Sequence, residues 1–170
     1  MIRPSARLLW SVLGAGCLAL VVGSLILTVW LDLRPCALCI FQRLLFIVLG
    51  LLALAAAGLG PRRAALVPGL LVLSCALAGV GISAYQVWLQ LQPPDSASCG
   101  GGPLGFIDPL VDWLGERLPT LFLATGFCDE AGPPILGLGL AQWALVGFSA
   151  CVVGALWAIA ARRRIPGLGA

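Results

Sequence analysis

Histidine is absent from this 170-residue chain, and so is lysine: all ten basic residues are arginine. A metal site built on the C-x-x-C spacing of Cys36 and Cys39 therefore has no imidazole to complete it. No cluster of cysteines is spaced for haem or iron–sulfur ligation, and no dinucleotide-binding motif occurs. Charge is scarce too, at 10% of residues against roughly 25% in ordinary soluble domains. No basic stripe exists, which argues against a nucleic-acid partner. What the chain has instead is apolar sequence, 61% of it, in runs too long for a soluble domain.

Four such runs recur. Leu8–Leu31 contains no charge and follows Arg3 and Arg7. It exceeds the roughly 7–15 apolar residues of a signal peptide and ends without an A-x-A-like cleavage site, so it is expected to stay as a span. The expected spans are 8–31, 41–60, 66–91 and 135–161, joined by outer connections at 32–40 and 92–134. The fold class is an all-α membrane protein, a four-transmembrane-helix bundle forming a single integral membrane domain over 1–170. Within the longer connection, Ile107, Leu110, Val111, Leu114 and Leu118 recur at helical spacing opposite Asp108, Asp112 and Glu116. That pattern predicts a short amphipathic helix, lying on the membrane surface with Trp113 as anchor or packed on the bundle's end.

Charge sets the orientation. Arg3, Arg7, Arg62, Arg63 and Arg162–Arg164 occupy both ends and the middle turn, without an acid among them. The other two connections hold Arg34, Arg43 and Arg117 with all seven acids. The positive-inside rule then predicts cytoplasmic termini and places both cysteine-bearing connections outside.

The seven cysteines divide accordingly. Cys17, Cys75 and Cys151 fall within spans, where they suit small apolar packing positions. Cys36, Cys39, Cys99 and Cys128 fall on the oxidising outer side, where two disulfides are possible in three connectivities. A bridge between Cys36 and Cys39 closes so small a loop that it would be a poor staple, which favours a redox role. Cys99 and Cys128, about 30 residues apart, suit a staple or a redox pair equally. Arg43 lies four residues after Cys39, on the same face of a helix that begins there. A cation and a helix N-terminus together favour a thiolate. A redox pair at the membrane edge needs a two-electron acceptor, and a lipid-soluble quinone near Arg43 fits best.

Pro35-Cys36-x-x-Cys39-x-x-Gln42-Arg43 resembles the signature of the DsbB family, bacterial inner-membrane proteins of disulfide bond formation. The resemblance continues in Gln90-x-x-Pro93, in Phe122-x-Ala124-Thr125-Gly126-x-Cys128, and in Leu136-Gly137-Leu138 with Gln142-Trp143, and so covers nearly the whole chain. It implies two redox disulfides, Cys36–Cys39 and Cys99–Cys128, in loops facing the periplasm. A periplasmic DsbA-like thioredoxin-fold oxidase would deliver electrons at Cys99. Cys128 would pass them on through a bond to Cys36. Cys39, a thiolate beside Arg43, would reduce ubiquinone or menaquinone from the membrane pool. Gly100–Gly102 and Gly126 would supply the mobility this needs. Two departures stand out: Gln86 occupies the place of a histidine found in some relatives, and Gln42 that of an acid.

Two rivals make different demands. A vitamin K epoxide reductase-like bundle also carries a C-x-x-C, but typically late in its chain rather than before the second span. A non-enzymatic four-span protein with a disulfide-locked loop would leave Cys36 and Cys39 dispensable. The orientation is checked by labelling intact cells with a membrane-impermeant thiol reagent after mild reduction. Cys99 is expected to react; protection of Cys99 until the membrane is opened would reverse the topology.

Overall fold

The structure, a computed structural model, describes residues 5–59, 65–92, 105–128 and 132–163. Arg3, the Gly60-Pro61-Arg62-Arg63 turn, Cys99 with Gly100–Gly102, and Arg164 lie outside the described residues. The helices are α1 (Ala6–Trp30), α2 (Ala37–Leu59), α3 (Leu66–Gln90), α4 (Ile107–Arg117), α5 (Pro119–Phe122) and α6 (Leu140–Arg163). Helices α1, α2, α3 and α6 are each long and apolar enough to cross a membrane. They pack as a ring in that order, α6 closing back onto α1. The fold is an all-α, four-helix bundle.

Small residues bring the spans together. On α1 and α2, Gly14 and Gly50 face each other so closely that a Cβ on Gly50 would sit 3.2 Å from the Gly14 carbonyl oxygen. Across the ring, Phe46 of α2 and Phe148 of α6 stack with centroids 3.9 Å apart. That contact fills the core's middle and relies on Gly79 of α3, where a Cβ would run into the Phe148 ring. Outward, Ile26, Leu51 and Val153 are exposed, an apolar perimeter suited to lipid rather than water. Arg7 donates to the Ala57 carbonyl at 3.0 Å, capping the end of α2 with a cation that suits its dipole.

Helix ends decide what reaches the outer side. Helix α1 stops at a left-handed Asp32 (φ 46°), and Leu33 N–H donates back to the Thr28 carbonyl at 3.0 Å. This is a Schellman closure with Asp in the place glycine usually takes. Helix α2 then begins at Ala37, four residues before the expected 41, because the Cys36 carbonyl accepts the first helical bond from Ile40 N–H at 3.0 Å. Helix α6 starts at Leu140 rather than 135. Residues Ile135–Leu138 instead exchange both backbone bonds around Leu136 (φ 54°) and Gly137 (φ 83°), a two-residue turn with both central residues left-handed. Gln142, the third helical residue, accepts from Gly139 N–H at 2.9 Å, half of a capping box. Trp143 Nε1 donates to the Ile135 carbonyl at 2.9 Å. Gln142 and Trp143 thus pin the turn to the helix.

Helix α4 packs on the end of the bundle. Ile107 and Val111 are buried in a cluster with Leu38, Ile40, Ile82 and Leu89, while Trp113 is half exposed under the Arg117 guanidinium. Asp108 in its first turn and Arg117 in its last complement its dipole.

The core contact at Gly79 can be tested against a nearby control. Gly79→Ala should destabilise the detergent-solubilised protein by about 1–3 kcal/mol through overpacking, read as a lower unfolding temperature. Gly81→Ala meets nothing within 4 Å. It should be neutral or slightly stabilising, as alanine is the better helix former.

Candidate active site

Cys36 is the residue on which α2 starts, and Cys39 is the third residue of its first turn. An N-cap side chain naturally lies beside the third helical residue, so the two sulfurs meet at 3.4 Å with Cys36 as donor. Arg43 follows one turn below Cys39 on the same face. The positive end of the helix and the guanidinium thus approach the Cys39 sulfur from within one element.

Arg43 is 7% exposed and pairs with no carboxylate among the described residues. Neutral acceptors take its donors instead. Its Nε donates to Ser24 Oγ at 3.2 Å, one terminal nitrogen to Thr28 Oγ1 at 3.1 Å, and the other to the Leu121 carbonyl at 2.8 Å. The two hydroxyls spend their own protons on α1 carbonyls, Ser24 on Val21 and Thr28 on Ser24, which leaves lone pairs for the guanidinium. Sequence reasoning missed this seat. Its signal was a pair of hydroxyl residues four apart, Ser24 and Thr28, near the outer end of the apolar first run, one helical face aimed at one partner.

Cys128 reaches the same place through backbone contacts. Thr125 N–H and Gly126 N–H both donate to the Pro35 carbonyl, at 2.9 and 3.2 Å. A Cβ on Gly126 would collide with the Arg34 carbonyl, so this glycine permits a close backbone approach rather than supplying the looseness expected of it. Cys128, two residues on, is buried, and its sulfur hydrogen-bonds with that of Cys36. That bond first, then the one to Cys39 and burial, push the Cys36 thiol up, so Cys36 holds its proton at neutral pH.

A third wall comes from α3. Gln86, 1% exposed, donates through Nε2 to Cys39 Sγ at 3.0 Å and to Cys36 Sγ at 3.5 Å. Its Oε1 accepts from Gln42 Nε2 at 2.7 Å. Of the five expected site residues, four are brought together and Cys99 lies outside the described residues. Beside them runs a cavity of about 590 Å³, bounded by α1, the start of α2, the start of α6 and the Gly132–Gly139 segment. Cys36, Cys39, Gln42 and Arg43 line one part of it, and Leu20, Phe46, Trp143 and Ala144 make much of the rest apolar. Among the described residues no group of His, Cys, Asp or Glu is arranged to hold a metal.

A family model described as disulfide bond formation protein DsbB matches residues 6–158. The chain belongs to the DsbB family. It is 40% identical over 150 residues to disulfide bond formation protein B of Dechloromonas aromatica, covering 88% of this chain and 90% of that one. It is 43% identical over 143 residues to disulfide bond formation protein B 1 of Pseudomonas fluorescens strain Pf-5, with 83% and 82% covered. Against disulfide bond formation protein B 2 of Burkholderia lata the identity is 40% over 161 residues, with 90% and 89% covered. As a DsbB family member with four membrane-crossing helices, the protein is a membrane oxidoreductase of disulfide bond formation. The vitamin K epoxide reductase-like and non-enzymatic alternatives are not favoured.

The Pro35 clamp makes a specific demand on Gly126. In a protein with Cys39 and Cys99 both changed to serine, Gly126→Ala should cut the Cys36–Cys128 cross-link formed under mild oxidation about tenfold, as counted by non-reducing peptide mapping. An undiminished yield would mean that the clamp does not hold Cys128 in place.

Proposed function

We propose that the protein reoxidises a periplasmic DsbA-like dithiol oxidase and passes the electrons to a membrane quinone. The observation that carries this is the convergence of Cys36, Cys39 and Arg43 on one partly apolar cavity, with Cys128 against Cys36. The protein is a single integral domain over 1–170 in the bacterial inner membrane, multi-pass, with both termini cytoplasmic. Its cysteine-bearing loops face the periplasm, in keeping with the arginine distribution.

The cavity suits a quinone head group. Its volume lies within the range of small-molecule pockets, its walls are mostly apolar, and its buried cation, Arg43, has no fixed anionic partner among the described residues. A quinone held there would supply an acceptor for the two electrons and two protons of a dithiol becoming a disulfide. Arg43 is the residue to hold it, through donors that would stabilise charge on an oxygen.

The chain's own residues divide the remaining work. Cys99 receives the incoming thiolate of the partner oxidase, which breaks the Cys99–Cys128 disulfide and frees Cys128. Cys128 then attacks Cys36, forming the interloop bond and releasing Cys39 as the leaving thiolate. Cys36 is placed for this exchange by the hydrogen bond it shares with Cys128. Cys39 is the better leaving group of the pair, since the helix N-terminus and Arg43 both stabilise its negative charge.

The test is quinone reduction by purified protein with a reduced thioredoxin-fold dithiol as donor. Cys39→Ser and Cys99→Ser should each bring the rate to background, and turnover at the wild-type rate in either would overturn the proposal. Arg43→Ala should weaken apparent quinone affinity about tenfold or more, the loss of a hydrogen bond to a charged acceptor.

A further inference from the structure

Gln42 and Gln86 are two glutamines buried against each other between α2 and α3, 4% and 1% exposed. Burying amides in apolar surroundings is costly unless each finds a partner, and an apolar pair would fill the same space without that demand. The bond between them accounts for one end of Gln86. Its other end points at sulfur, 3.0 Å from Cys39 and 3.5 Å from Cys36.

We propose that Gln86 is a catalytic residue of this centre: its amide donates to the Cys39 sulfur, and Gln42 is the positioning residue that fixes which end of the amide faces it. The inference rests on the redox role proposed above for Cys36 and Cys39. A glutamine amide is ambivalent, with N–H groups on one side and a carbonyl on the other. Facing a thiolate, the carbonyl would repel and the N–H would attract. Gln42 Nε2 donates to Gln86 Oε1 at 2.7 Å and occupies the carbonyl, so only the donor side is left for sulfur. Because Nε2 lies within reach of both sulfurs, the same amide can serve whichever carries negative charge during exchange. It approaches from α3, while Arg43 and the helix terminus act from α2, so the thiolate is held from two sides. A charge-assisted bond of this kind is stronger than the neutral bond to a thiol, so it favours the thiolate selectively. Neither amide titrates, so the donor stays available at any pH at which the thiols react.

A brace between two membrane helices would give the same glutamine pair, and the variants separate the two roles. The measurement is the rate of Cys39 alkylation by iodoacetamide in the reduced, detergent-solubilised full chain at fixed pH, read by peptide mass. Gln86→Glu keeps an acceptor for Gln42 but replaces the donor, and should slow Cys39 alkylation at least about tenfold. Gln86→Met should slow it by about the same factor. Gln42→Leu leaves the donor in place but free to turn, and should slow it less, by about threefold. Rates within about twofold of the parent in Gln86→Glu would overturn the proposal and leave the pair as a brace. If Gln86→Glu does not fold, Gln86→Met and Gln42→Leu are judged by the same limit, and unchanged Cys39 rates in both overturn it. Alkylation needs neither quinone nor partner oxidase. Failure here with intact quinone reduction would discard only the role of Gln86, whereas loss of quinone reduction by the parent protein would discard the larger proposal.

Discussion

A guanidinium buried at the edge of a membrane bundle, with no carboxylate beside it among the described residues, is the constraint on which the site depends. Isolated charges are costly to remove from water, and the usual remedy is an ion pair. Here Arg43 is held by two hydroxyls of α1 and one carbonyl at Leu121. Neutral acceptors lower the cost of burial without cancelling the charge. They also tie together three parts of the chain: α1, α2 and the segment after α4. Arg43 is therefore a structural centre as well as a chemical one, and its net charge remains available for an anion that forms only during reaction.

The second constraint is where α2 begins. With its first bond accepted by the Cys36 carbonyl, the cysteine pair straddles the helix start, and both sulfurs share one face with Arg43. A start four residues later would leave the pair in a loop, with no fixed relation to the helix terminus or to the arginine. The Schellman closure of α1 at Asp32 and the double acceptance at the Pro35 carbonyl serve the same end. The first shortens the connection between spans; the second brings Cys128 onto it. Three backbone devices, two of them local and the third joining distant segments, thus bring together the sulfurs that a disulfide relay requires.

Much of this was legible in the sequence, for a physical reason. Spans are visible because lipid demands long apolar runs, and the tie of Cys39 to Arg43 because four residues make a helical turn. What escaped depends on contacts distant in sequence or on backbone conformations that leave no residue signature. Gln42 and Gln86 are 44 positions apart, and nothing in either run marks the bond between them. Gly126 looked like a source of flexibility because glycine serves both loose and tightly packed backbone, and only the Arg34 carbonyl beside it decides which. The start of α6 was misplaced because Leu136 takes a left-handed conformation, a turn its residue type does not advertise. Ser24 and Thr28 were readable in principle, since hydroxyls four apart in an apolar span ask for a shared partner.

The lack of histidine in the chain has a counterpart in the site. With no histidine in the chain, and an amide rather than an acid hydrogen-bonded to Cys39, neither an imidazole nor a carboxyl touches that sulfur among the described residues. Control of thiolate chemistry then falls to fixed charges and dipoles: Arg43, the N-terminus of α2 and the oriented amide of Gln86. Such groups need no reorganisation when negative charge appears on sulfur, and their effect is largest where water is excluded. A site of this composition trades pH-sensitive acid–base groups for preset electrostatics. It also explains why its neutral side chains are so fully hydrogen-bonded: each must hold its orientation before the charge arrives.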